Sequence, residues 1–239
     1  MTTALIFAGG TGIRMNTAKK PKQFLELHGK PILIYTIEHF EFHNEVDEIV
    51  VVCLENWIKE LRRFLRLYEI TKVSKIVAGN PEGGDYSIYN GLKAMEEMHK
   101  FDDIVLIHDG VRPLINAELI SENIAKVKEF GNAITCEPVV ESVIRSVDGK
   151  TVGDVPSRWE MYSAKAPQSF RYGEIYELYK RAKSDGFRAI DSANLCSHYG
   201  TKMNIVKSST NNIKITKPQD FYIFRALYEA MENEQILGI

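Results

Sequence analysis

The sequence predicts an α/β protein with a mainly parallel sheet flanked by helices. Three observations carry that expectation. Short, continuous apolar runs recur along the first 140 residues, as strands buried on both faces require. Stretches with apolar residues at helical spacing separate them. Strand and helix alternate roughly every 25 to 30 residues, the rhythm of βαβ units with right-handed crossovers. Together these define a Rossmann-like sheet, whose ligands bind at the carboxyl ends of the strands.

Taken in order, Ala4–Ala8 reads as the first strand, ending in Gly9-Gly10, and Ile32–Phe40 as a helix. Glu48–Cys53 is the second strand, Trp57–Tyr68 a helix, Val73–Ala78 the third strand and Ser87–His99 a helix. Ile104–His108 is the fourth strand, Glu118–Phe130 a helix and Ala133–Val139 the fifth strand. The rhythm then changes. Ser142–Ser146 and Thr151–Val155 flank Asp148-Gly149 and read as a β-hairpin arm over 141–158. Such an arm has too little core to stand alone, so it is expected to pack on a second subunit. Helices at Tyr172–Ala182, from Asp191 and at Pro218–Glu232, with a strand at Met203–Val206, complete a single domain over 1–239.

Composition removes several classes. A net charge of −2 offers no global positive field for nucleic acid or an anionic membrane. No apolar run approaches the roughly 20 residues of a membrane helix. The three cysteines, Cys53, Cys136 and Cys196, have neither CxxC nor zinc spacing and read as buried hydrophobes in a reducing compartment. The N-terminus shows no leader pattern, so the expected location is cytoplasmic.

The loop after the first strand, Gly9-Gly10-Thr11-Gly12-Ile13-Arg14-Met15, is the strongest local signal. Glycines let backbone N–H groups turn toward phosphate oxygens. Met15 stands where a dinucleotide fingerprint needs glycine, which argues against a nicotinamide oxidoreductase, and no Gly-Lys-Ser/Thr of a Walker loop follows. Arg14 and Lys22 add two cations, suited to phosphoryl-type transfer, in which positioning and charge stabilisation dominate. The sequence shows no Ser–His or Cys–His constellation, and an ionised phosphate nucleophile needs no base.

The loop and Pro21-Lys22-Gln23-Phe24 together resemble the signature of the cytidylyltransferase family that includes methylerythritol phosphate and ribitol-5-phosphate cytidylyltransferases. The similarity continues through His108-Asp109-Gly110-Val111-Arg112-Pro113, Ala166-Pro167-Gln168-Ser169-Phe170 and Asn212-Ile213-Lys214-Ile215-Thr216. The resemblance implies a GT-A-like nucleotidyltransferase that joins CTP and a polyol phosphate with Mg2+, works as a homodimer through the arm, and releases pyrophosphate. It implies Arg14, Lys22 and Lys214 as catalytic cations, and Ala8, Gly9, Gly10, Thr11, Gly12 and Ser87 as CTP-binding residues. It places Asp109, Ser142, Arg158 and Asp191 on the acceptor, with Asp109 also a candidate for placing the metal. Arg112 is readable as the partner holding the loop of Asp109, and His108 as a packed residue and not a base.

The chain departs from the family pattern at three positions. Gly84 stands where relatives carry arginine, Ala166 where they carry threonine, and Ile190 where they carry serine or threonine. Two of the three lie on the acceptor side. These losses keep open a non-catalytic nucleotide-binding paralogue. Gly110-Val111-Arg112-Pro113, 120–131 and Glu160-Met161-Tyr162 are closer to the ribitol-phosphate branch, with methylerythritol phosphate as the alternative acceptor.

Overall fold

The computed structural model describes residues 1–10, 20–80 and 82–237. Its elements are β1 (Thr2–Ala8), β2 (Glu26–Leu27), β3 (Lys30–Pro31), α1 (Ile32–Glu41), β4 (Glu48–Cys53), α2 (Ile58–Leu67), β5 (Val73–Ala78), α3 (Gly84–Ala94), β6 (Ile104–Asp109), α4 (Ala117–Phe130), β7 (Asn132–Pro138), β8 (Tyr162–Arg171), α5 (Tyr172–Asp185), α6 (Ser192–His198), β9 (Ile205–Lys207) and α7 (Pro218–Leu237).

Seven strands form one sheet in the order β5-β4-β1-β6-β8-β7-β9. The first four in that order are mutually parallel, and β8 runs antiparallel to both β6 and β7. The carboxyl ends of β1, β4, β5 and β6 therefore open on one edge. Buried residues on one face, among them Ile6, Val51 and Leu106, pack with α1, α2 and α4. The other face, with Leu5, Val52, Ile107 and Phe170, is covered by α3, α5 and α6. The last helix packs Phe224 against Tyr35 of α1, with ring centroids 5.7 Å apart. All three cysteines are buried, and burial pushes the Cys53 and Cys196 thiols up to about 12. No helix among the described residues is long and apolar enough to cross a membrane.

Among the differences from the sequence expectation, three bear on the site and the arm. Helix α3 starts at Gly84 and ends at Ala94, not Ser87–His99. The Gly83 carbonyl already accepts the Ser87 N–H, so the helix begins a turn early. Strand β8 was not anticipated as a strand, because it contains Pro167 and few apolar residues. Its ladder accommodates them. Ile134 pairs with Gln168 and Cys136 with Ala164, so Lys165, Ala166 and Pro167 stand opposite Thr135 alone. The missing N–H of Pro167 falls in that bulge. Third, the arm is looser than a regular hairpin. Its limbs meet at one isolated bridge, Arg145 with Asp154. The turn between them is organised by the Asp148 carboxylate, which accepts from the N–H groups of Lys150 and Thr151, both at 2.8 Å. No residue from Pro138 to Met161 is buried.

Candidate active site at the strand ends

The nucleotide side begins where β1 stops. Gly9 lies against Gly79, at the end of β5, so closely that a Cβ on Gly79 would stand 2.8 Å from the Gly9 Cα. Only glycine permits that approach. Ser87, buried on the first turns of α3, takes the Asn80 N–H on its Oγ at 3.0 Å and donates to the Gly83 carbonyl at 3.1 Å. Ala8, Gly9 and Ser87 are thus one packed corner, with Gly10 exposed beside it. Buried Gln23 pins the same strand end, donating to the carbonyls of Ala8 at 2.6 Å and Gly10 at 3.2 Å. Its neighbour Phe24 is fully buried against Trp57, which anchors the turn carrying Lys22. The Lys22 ammonium donates to the Ile215 carbonyl at 2.9 Å, next to Lys214. Thr11, Gly12 and Arg14 lie outside the described residues.

The end of β6 supplies the charged centre. The Asp109 carboxylate receives Lys214 Nζ on Oδ1 at 2.5 Å and Arg112 Nε on Oδ2 at 2.8 Å. Burial by itself would raise this carboxyl. The neighbouring Lys214 and Arg112 charges outweigh that and hold it below the usual carboxylate range. Arg112 also donates to the Asn212 carbonyl at 2.9 Å, tying the β6 loop to the segment before α7. The loop-holding role expected of Arg112 is therefore present. His108 is fully buried, its Nε2 lies 3.2 Å from the Arg112 carbonyl, and burial pushes its pKa down to about 3. It is a packed neutral residue, as expected.

Each oxygen of Asp109 is engaged by a cation, Lys214 on Oδ1 and Arg112 on Oδ2. What Asp109 visibly does is place Lys214 and Arg112.

A cleft of about 260 Å³ opens between this centre and the α5–α6 loop, lined by Asp109, Arg112, Lys165, Ala166, Asp191 and Lys214 among others. Asp191 caps α6, accepting from the Asn194 N–H at 2.7 Å, and its other oxygen takes Gln168 Nε2 at 3.1 Å. Both departures on this side, Ala166 and Ile190, line the cleft, as does Gly84. At the neighbouring turn, Arg188 from the α5–α6 loop grips Asp85 with two nitrogens, at 2.6 and 2.9 Å, and donates to the Glu82 carbonyl at 2.8 Å. A Cβ on Gly83 would meet Arg188 Nη2 at 2.4 Å, so glycine there makes room for the guanidinium. Ser142 and Arg158 are not brought to the cleft. Both are exposed on the arm, and Arg158 stacks 4.6 Å over the Trp159 ring.

Sequence reasoning missed Lys165 and the bracing amide of Gln168. Lys165 pairs with Glu137 and donates to the Asn212 carbonyl at 3.2 Å. Its partners lie far away in sequence, and the residue types alone carried no signal.

A glycine corner at the strand ends beside clustered cations, with no nucleophile–base pair among the described residues that line it, suits a nucleotidyltransferase. The chain belongs to the 2-C-methyl-D-erythritol 4-phosphate cytidylyltransferase family, whose model matches residues 2–230. A ribitol-5-phosphate cytidylyltransferase of Streptococcus agalactiae serotype Ia is 47% identical over 240 residues, covering 100% of both chains. A 2-C-methyl-D-erythritol 4-phosphate cytidylyltransferase of Clostridium botulinum is 36% identical over 96% of this chain and 98% of its own. Among solved structures, 4-diphosphocytidyl-2C-methyl-D-erythritol synthase from Anaerococcus prevotii superposes with a TM-score of 0.83 at 26% identity, covering 96% of each chain.

Proposed function

We propose that this cytidylyltransferase joins CTP and D-ribitol 5-phosphate to give a CDP-alcohol and pyrophosphate. The observation that carries the acceptor is the 47% identity, over the full length of both chains, to a protein named for ribitol-5-phosphate, against 36% to one named for methylerythritol phosphate. The acceptor's ionised phosphate oxygen attacks the α-phosphorus, that P–O bond forms, the bond to the β-phosphate bridging oxygen breaks, and pyrophosphate leaves. No proton needs to be abstracted, which suits a charged centre whose neighbouring imidazole, His108, is held neutral by burial.

Lys22 and Lys214 stabilise the charge that grows on the α-phosphoryl oxygens and the leaving group, with Arg14 as their companion from the glycine loop. Lys22 approaches Lys214 through the Ile215 carbonyl, and Asp109 fixes Lys214 from the other side. Ala8, Gly9, Gly10, Thr11, Gly12 and Ser87 receive the nucleotide. Mg2+ would supply charge neutralisation at the triphosphate oxygens, with Asp109 as the residue that would help place it. Asp191 faces the acceptor, and Ser142 and Arg158 of a second copy complete that side. The exposed Val147, Val152, Val155 and Trp159 support the arm as a homodimer contact. We place the reaction in the cytoplasm.

The test is pyrophosphate release from CTP and Mg2+ with D-ribitol 5-phosphate and 2-C-methyl-D-erythritol 4-phosphate in parallel. Faster turnover of the ribitol compound is expected. Faster turnover of the methylerythritol compound overturns the acceptor assignment, and release with neither overturns the enzyme reading.

A further inference from the structure

We propose that Lys165 is an acceptor-binding residue whose ammonium takes the phosphate of the polyol phosphate. This rests on the reading of the acceptor as a polyol phosphate. Three observations carry it. The β8 bulge sets Lys165, Ala166 and Pro167 opposite the single residue Thr135, releasing Lys165 from the regular ladder, and its side chain lines the cleft. The side chain is nearly buried, with 12% of its surface exposed, so its charge is held in place by partners and not by bulk water.

The third observation is a donor count. An ammonium has three N–H groups. Glu137 takes one and the Asn212 carbonyl takes another, at 3.2 Å. One donor is left for the cleft. The same Asn212 carbonyl accepts from Arg112, Arg112 holds Asp109, and Asp109 holds Lys214. Lys165 thus belongs to one continuous polar network with the proposed catalytic lysine, and that network orders it before any substrate arrives. The other ionisable group on this wall, Asp191, has both oxygens committed to the α6 N-terminus and to Gln168. Ala164, Ala166 and Ile190 beside it offer no competing side-chain acceptor. A fixed cation interacts more strongly with an anion than with a hydroxyl. The phosphate is the anionic group of this acceptor.

The experiment compares wild type with Lys165→Gln and Lys165→Arg. Steady-state kinetics are read separately for the acceptor and for CTP, and calorimetric titration with D-ribitol 5-phosphate is run on each protein. Lys165→Gln keeps an N–H donor but loses the charge. It is expected to raise the acceptor KM and Kd by about tenfold or more, as loss of a charged hydrogen bond does, with the CTP KM unmoved. Lys165→Arg, which restores the charge, is expected to recover most of that loss.

An unchanged acceptor KM in Lys165→Gln overturns the proposal. So does an equal rise in both KM values together with a lower Tm, which marks the Glu137 pair as merely structural. Wild-type turnover decides the acceptor reading independently. If wild type prefers the methylerythritol compound, the same variants are read with that phosphate. If wild type turns over neither compound, the titrations decide, and no difference in binding between wild type and Lys165→Gln overturns the proposal.

Discussion

The charged centre at the end of β6 and the arm over 141–158 are built on opposite terms. In the first, Asp109 is 6% exposed, and its carboxylate, the Arg112 guanidinium and the Lys214 ammonium satisfy one another within one chain. In the second, Val147 is 94% exposed and Trp159 78%, and one bridge joins the limbs. Removing a partner from the first leaves a buried charge unpaired. Removing a side chain from the second costs the isolated chain almost nothing. The cation half of the site is paired within one chain, whereas the arm presents apolar surface that none of the described residues buries.

The largest effect expected from that contrast is at Asp109. Asp109→Asn leaves the buried Arg112 without its counter-ion, and breaking such a pair costs roughly 3–5 kcal/mol. Denaturant unfolding reads it directly. A loss under about 1 kcal/mol, the range of a surface pair, contradicts the buried-pair account. Next comes Lys214→Ala. Asp109 keeps Arg112 as a partner, so the loss of stability is smaller than in Asp109→Asn, but kcat falls by about 10²–10³, as when one transition-state donor is removed. Lys22→Ala is expected to behave the same way, with KM for CTP moving less than kcat. An unchanged kcat removes either lysine from that role.

The arm predicts the reverse pattern. Val147→Asp is expected to leave the unfolding free energy of the chain within about 0.5 kcal/mol while shifting a dimer toward monomer in sedimentation. Arg158→Ala is expected to raise the acceptor KM by about tenfold with kcat largely kept. A wild-type chain that is monomeric and fully active refutes the shared site.

The same contrast explains what was legible in the sequence. Strand β4 was readable to the residue, because an uninterrupted apolar run buried along its length leaves no other arrangement. Strand β8 was not, because its polar residues are satisfied only by distant partners. Ser169 donates to Asn123 at 2.9 Å, and Gln168 reaches Asp191. Asp109, Arg112 and Lys214 each stood out by position and motif, but the pairing of Lys214 with Asp109 joins residues far apart in sequence, and only the fold creates it. Lys165 had no local signature at all. Helical periodicity located α3 but not its start, which Gly83 sets through a hydrogen bond to Ser87. The arm was recognised by turn residues around Asp148-Gly149, yet its sparse pairing follows from having no buried face to fix its register.

The smallest predicted effect lies beneath the charged centre, at His108. Burial pushes this imidazole from an ordinary 6.5 to about 3, and its Nδ1 has no hydrogen-bond partner among the described residues. The unfolded chain therefore takes up a proton between those two values that the folded chain refuses. Folding stability then falls as pH drops through that window, by at most about 1.4 kcal/mol per pH unit. Asp109 titrates with the opposite consequence for location on the pH axis. Its folded pKa is depressed, so its contribution is complete above its ordinary 3.8 and is lost only as pH falls below that. Between pH 6.5 and 4 the two groups separate, and His108 acts without Asp109. His108→Asn is expected to flatten the dependence of unfolding free energy on pH in that interval by up to one proton, with no change of slope at lower pH attributable to Asp109. An unaltered slope between pH 6.5 and 4 would mean that the folded chain accommodates a charged imidazole there, beside the Arg112 carbonyl.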